Sequence, residues 1–143
     1  MKIRAAGILI YRTTPAGPEI LLLKSSKNGK WSPTKGQADS KHESDKEVAL
    51  RETFEESGVK EEQLKFVQGF EEEMQYKTHG MIKNSTYFVA EILDRDFAVK
   101  VSFEHTEFVW ADETLTRELL GRRTGQGWEQ LLDKVFANLK SCE

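Results

Sequence analysis

The sequence predicts a mixed α/β or α+β sandwich in one domain spanning residues 1–143. Three observations predict it. The chain has 143 residues, 38% hydrophobic and 31% charged, a size and balance that close one continuous core without disulfides. Runs rich in β-branched and aromatic residues stand before and after a capped helical segment at 45–57. A second segment of helical period closes the chain at 127–140.

Two β-rich runs come first, AAGILIYR and EILLLKSS. The Pro and Gly of TTPAGP between them favour a turn, so the two pair as a hairpin. KNGKWSPTKGQADSKH follows, with Gly, Pro, Ser and Asp scattered through it, and reads as a loop of the kind that carries function on a rigid scaffold. Ser44 with Glu47 three residues on fits a capping box, and Gly58 suits a left-handed helix end, which bounds a helix at about 45–57. Ala49, Leu50 and Thr53 form a small-residue stripe that lets this helix approach a sheet closely. Further strands are expected at LKFVQGF, EEMQYKT, STYFVAEIL and EFVWAD, with a hairpin turn in KTHGMIKNS around Gly80. The last helix places Trp128, Leu131, Leu132, Val135, Phe136 and Leu139 on one apolar face.

Charge and composition exclude several classes. A net charge of −3 opposes binding of nucleic acid through a broad basic surface, so no stable nucleic-acid complex is expected. The single cysteine, Cys142, has no internal partner, consistent with a reducing compartment. The apolar run of MKIRAAGILIYR is a strand rather than a signal peptide, and no segment reaches the roughly 20 apolar residues of a membrane span. A cytoplasmic monomer is the expectation.

The stretch ESDKEVALRETFEESGV crowds Glu52, Glu55 and Glu56 behind Arg51. On a helix at about 100° per residue these carboxylates share an arc of roughly 100°, and each close pair costs a few tenths of a kcal/mol without a counter-charge. Solvent or a divalent cation can offset that repulsion. Clustered hard oxygen donors suit Mg²⁺ or Mn²⁺, which keep several waters and bind substrate phosphates as well.

Gly36, Glu43, Arg51, Glu52, Glu55, Glu56, Gly58 and Val59 together resemble the Nudix box, a glycine loop feeding a helix with R-E-x-x-E-E-x-G and an aliphatic residue. Two departures stand out: Glu43 lies seven residues after Gly36 where the family has six, and Thr53 stands where an aliphatic residue is commoner. The resemblance implies a mixed sheet sandwiched between helices and metal-dependent hydrolysis of a nucleoside diphosphate linked to another group. It also implies Glu52 and Glu56 as principal metal ligands, Glu55 as a third, a contribution from the Gly36 carbonyl, and Arg51 as an orienting ion-pair partner.

KWSPTKG, ALRETFEESG, the spacing of Tyr76, Lys83 and Tyr87, and Glu104, His105 and Trp110 in FEHTEFVW are similar to the asymmetrical diadenosine tetraphosphate hydrolase branch. That resemblance implies a small-molecule dinucleoside polyphosphate substrate, with Tyr76 stacking on adenine and Lys83 and Lys35 on the phosphate chain. It makes Glu104 a candidate extra ligand or base, and Tyr87 and Phe136 candidate substrate contacts. Tyr76 fits equally as a core aromatic, while for Tyr87 in its strand and Phe136 on the helix's apolar face the core is the better reading. Another Nudix pyrophosphohydrolase, acting on RNA 5′-ends, diphosphoinositol phosphates or oxidised nucleotides, and a non-catalytic nucleotide-binding module remain alternatives.

Overall fold

Strands whose side chains alternate between two covered faces build the centre of the protein. The computed structural model describes residues 2–121 and 127–141. In chain order its elements are β1 (Lys2–Thr14), β2 (Gly17–Ser25), β3 (Trp31–Ser32), β4 (Thr34–Gln37), α1 (Asp45–Ser57), β5 (Leu64–Phe66), β6 (Glu72–Thr78), β7 (Met81–Ile92), β8 (His105–Ala111), α2 (Glu113–Gly121) and α3 (Trp128–Ser141). The described strands form one mixed sheet. Its spine is β1 parallel to β7, in register from Lys2 opposite Ile82 to Tyr11 opposite Glu91. Antiparallel partners flank the spine: β2 and β4 on β1, β5 and β6 on β7, and β3 and β8 on β2.

The period of two along the strands sorts the core into two layers. Ala6, Ile8, Ile10, Leu21, Leu23, Phe88, Ala90 and Ile92 face Val48 and Ala49 of α1. Leu9, Ile20, Leu22, Tyr87 and Val89 face Leu120 of α2 and Trp128, Leu131, Leu132, Val135, Phe136 and Leu139 of α3. Both faces are covered, which is why β2 reads as an unbroken apolar run instead of an alternating one. A 14-residue helix such as α3 is marginal alone. Burying each large apolar side chain contributes about 1.5–3 kcal/mol and holds it against the sheet.

Helix α1 follows its sequence signals. Ser44 and Glu47 form the capping box, and the helix ends at Gly58 with φ +80°. Its buried face is Val48, Ala49 and Thr53 together with Glu56 and Ser57, while Leu50 is only half-buried. The tip of the β6–β7 hairpin is tighter than expected: Thr78 pairs with Met81, and His79 (φ +49°) and Gly80 (φ +76°) turn the chain. Two consecutive positive φ values make a type I′ turn, whose twist matches the strands. Most of the segment read as a link is therefore strand.

Two further readings are corrected. The segment 27–42 is not wholly loop, because β3 and β4 lie within it, each existing through its pairing with β2 or β1 rather than through any local pattern. Helix α2 was not anticipated. Asp112 caps it, its Oδ1 accepting from the Leu115 N–H at 2.8 Å, but nine residues with two threonines look like the tail of the preceding strand. Cys142 lies outside the described residues.

Candidate active site

The C-terminal half of α1 lies against β4, and one buried contact sets their separation. Thr34 Oγ1 donates to the Ile8 carbonyl at 3.2 Å, so its single proton is committed and Thr53 Oγ1, 2.7 Å away, must be the donor to it. This explains the threonine at 53, where an apolar side chain could not bond to β4. Next to it the Lys35 backbone N–H donates to Glu56 Oε1 at 3.0 Å. Gly36 lies so close to Glu52 that a Cβ there would overlap the glutamate's Cδ and Oε2.

A second segment closes the site from the other side. The Ser102 N–H donates to the Glu56 carbonyl at 3.3 Å, and the Ser26 N–H to the Glu104 carbonyl at 2.8 Å. These bonds fix the turn that brings Glu104 and His105 opposite α1. The result is a cavity of about 220 Å³ lined by Ser25, Asn28, Lys30, Ser32, Lys35, Glu52, Glu56, Glu104 and His105. A larger cleft of about 720 Å³, lined in part by Tyr11, Lys65, Phe66 and Glu91, shares none of these residues.

Arg51 organises the acidic side. Its guanidinium donates to Glu43 at 2.9 and 3.2 Å, to Glu52 at 2.9 Å, to Glu55 at 3.5 Å and to the Gln37 carbonyl at 3.1 Å. The hydrogen bonds from Arg51 hold the Glu43 carboxyl down at about 2. Glu43 also accepts from the Asp39 N–H at 2.8 Å, so the loop with its extra residue is tied to α1 through Arg51. On the inner side the balance reverses. Burial pushes the Glu56 carboxyl up to about 8, and burial also raises Glu52 above the usual carboxylate range. His105 is lowered by burial, and its Nε2 stands 4.0 Å from Glu56 Oε2.

A divalent cation fits this donor set. Glu52 and Glu56 face the cavity, Glu104 lies across it, and Gly36 is held beside Glu52 by a contact only glycine permits. Among the described residues no three carboxylate or imidazole side chains converge closely enough to enclose a metal alone. Glu55 is half-exposed, its Oε1 toward Arg51. A partial protein shell completed by water and substrate oxygens is the habit of Mg²⁺.

The other expected contacts divide. Tyr76 and Lys83 are cross-strand partners, with the ammonium 5.9 Å from the ring centroid, on the β6–β7 hairpin and outside the cavity. Tyr87 and Phe136 are each 1% exposed, Tyr87 packing on Trp128 at 5.1 Å and Phe136 lying under the Arg117 guanidinium at 5.5 Å. Rings so enclosed have no face to offer a base, and the expectation that they contact substrate is corrected to packing. Sequence reading missed Ser25, Asn28, Lys30 and Ser32 as lining residues, and gave His105 no role in the site. The position of Lys30 one residue before KWSPTKG's tryptophan was the available signal.

The threonine pair yields a first prediction. Thr53→Val should keep the fold, since Thr34 retains its bond to Ile8 and Glu56 and Arg51 still bond to β4, but it removes the buried tie that sets the spacing of α1 on that strand. An about tenfold loss in kcat with KM little changed is expected, with recovery in Thr53→Ser. Steady-state kinetics of both variants check it, and a valine variant with unaltered kcat would remove this role.

A family model described as the NUDIX domain matches residues 1–128. The chain is 38% identical over 118 residues to a Sus scrofa protein named bis(5'-nucleosyl)-tetraphosphatase [asymmetrical], an overlap covering 77% of this chain and 79% of that one. It is 34% identical over 113 residues to the Caenorhabditis elegans protein of the same name, with 78% and 80% covered. Among solved structures, a C. elegans Ap4A hydrolase binary complex matches with a TM-score of 0.88 and 31% identity, over 97% of this chain and 98% of that one.

Proposed function

The chain belongs to the Nudix hydrolase family, and from that premise we propose that it hydrolyses dinucleoside polyphosphates asymmetrically, converting diadenosine tetraphosphate and water to ATP and AMP. One observation carries the reading: Lys35, Glu52, Glu56 and Glu104 line a single cavity in a chain that shares 38% identity with a relative named for that reaction. Nudix hydrolases generally require a divalent metal. Mg²⁺ or Mn²⁺ held by Glu52, Glu56 and the Gly36 carbonyl, with Glu55 nearby, would neutralise the phosphoanhydride and acidify a water.

The protein's own groups supply the rest. Arg51 fixes the Glu52 rotamer through its 2.9 Å bond, and the Lys35 N–H does the same for Glu56. Glu104, which lines the same cavity, would accept the proton of the attacking water. A tetraphosphate would be repelled by a chain of net charge −3, so the Lys30 and Lys35 side of the cavity provides the local positive field. Tyr76 and Lys83, on the neighbouring hairpin, anchor one adenosine and the start of its phosphate chain.

Product analysis tests the reading. With one adenosine anchored and the reacting groups at a fixed distance along the chain, position selects the bond. Diadenosine tetraphosphate should yield ATP and AMP and not two ADP, and the pentaphosphate should yield ATP and ADP. Hydrolysis in heavy-oxygen water should label AMP. Two ADP from the tetraphosphate, or no cleavage beside rapid attack on triphosphorylated RNA, would assign the chain to another reaction.

A further inference from the structure

We propose that Phe103 is the stacking platform for the second nucleoside, the one released as the monophosphate, a proposal that rests on the reading above. Phe103 is 92% exposed, against 41–61% for Phe54, Leu93 and Phe108. Full burial of a phenylalanine is worth about 1.5–3 kcal/mol, and this side chain gains almost none of it. Phe54 at least lies under the Lys60 ammonium, 6.0 Å from its ring.

The backbone beneath Phe103 is held, not loose. The Phe103 carbonyl accepts from Ser26 Oγ at 3.3 Å, and the next carbonyl, of Glu104, accepts from the Ser26 N–H at 2.8 Å. The turn is closed by the His105 N–H on the Ser102 carbonyl at 3.0 Å and by the Glu104 N–H on Ser102 Oγ at 3.3 Å. Ser102 is itself tied to the carbonyl of Glu56 at 3.3 Å. The backbone that carries the ring therefore stands at a set place, one residue from the cavity wall at Glu104, and stacking would cost little ordering of the loop.

Topology supplies the direction. Tyr76 lies on β6, on the flank beyond β7, whereas Phe103 lies two residues before β8, on the flank beyond β2. Lys35, on β4 beside β1, falls between them. A ligand with one base on Tyr76 and its phosphates across the carboxylate cavity would emerge beside Phe103. A phenyl face stacks any base, so this subsite would favour the presence of a second nucleoside rather than its identity.

The test compares two ligands that share everything except that nucleoside. Substrate turnover is measured with diadenosine tetraphosphate, and adenosine 5′-tetraphosphate is used as a competitive inhibitor. Phe103→Ala should lower kcat/KM for the dinucleotide about tenfold or more while leaving the inhibitor's Ki within about twofold, and Phe103→Trp should restore turnover. An unchanged kcat/KM, or a parallel loss in both ligands, would overturn the proposal. If the unaltered protein fails to produce ATP and AMP from the dinucleotide, the reading beneath it falls as well, a result visible before any variant is made.

Discussion

Glu56→Gln should lower kcat by at least about 100-fold and, in the same protein, raise the thermal stability of the metal-free fold. The two effects have one cause. Glu56 is buried, and burial lifts its pKa from 4.5 to about 8. A group whose folded pKa lies above its unfolded value stabilises the fold fully below about 4.5, and that contribution is lost as pH rises through about 8. Melting of the metal-free wild type should therefore fall across this window, and glutamine should flatten the profile. The amide oxygen can still accept from the Lys35 N–H, which bonds Glu56 at 3.0 Å, so that donor keeps its partner. What is lost is the charge that a divalent ion needs.

With Glu56 as a metal ligand, the same shift should govern metal affinity. Below pH 8 the carboxyl must release a proton when a cation binds, so Mg²⁺ affinity should rise with pH and level off above about 8. Thermal melts between pH 5 and 9, with and without Mg²⁺, read all of this at once. A Glu56→Gln protein that keeps its turnover, or one that melts below wild type at pH 8 without metal, would contradict the account.

Local signals were enough for α1. The capping box, the terminal glycine and the carboxylate spacing all act within a turn or two, and the helix spans 45–57 as its caps indicate. The long strands were legible for a similar reason, since β1, β2 and β7 are apolar over more residues than a turn can hold. β3 and β4 were not, because two and four residues around Pro33 and Gly36 acquire strand geometry only from β2 and β1. The consequence reaches the site: what presents Lys35 and Gly36 to α1 is strand pairing, which no local pattern encodes. The limit is the same for the aromatics. Tyr76 and Tyr87 lie 11 positions apart on adjacent strands, and only the packing of α3 encloses one and leaves the other half-exposed. Glu104 and His105 are far from α1 in sequence and meet it through backbone bonds from Ser26 and Ser102.

Gly36→Ala should abolish most turnover while leaving the fold intact, a separation that few substitutions within a paired strand allow. Gly36 does not have a positive φ, so alanine meets no backbone strain there. What it meets is Glu52, whose Cδ and Oε2 occupy the place of the new methyl group. Cγ is also within 2.5 Å of it, and all three belong to a flexible side chain, so the glutamate can swing aside from its Cβ outward without moving helix or strand. Swinging aside breaks its 2.9 Å bond to Arg51 and takes a principal carboxylate away from the cavity. The expected result is a loss of about 100-fold or more in kcat, comparable to removing a transition-state charge interaction. The melting temperature should stay within a few degrees of wild type, since the displacement affects a partly exposed group and not the core. Adding Glu52→Gln to the alanine variant should then cost little further activity, because the carboxylate has already left the site. Equal and independent losses from the two substitutions would mean that Gly36 serves the reaction by some route other than the placement of Glu52.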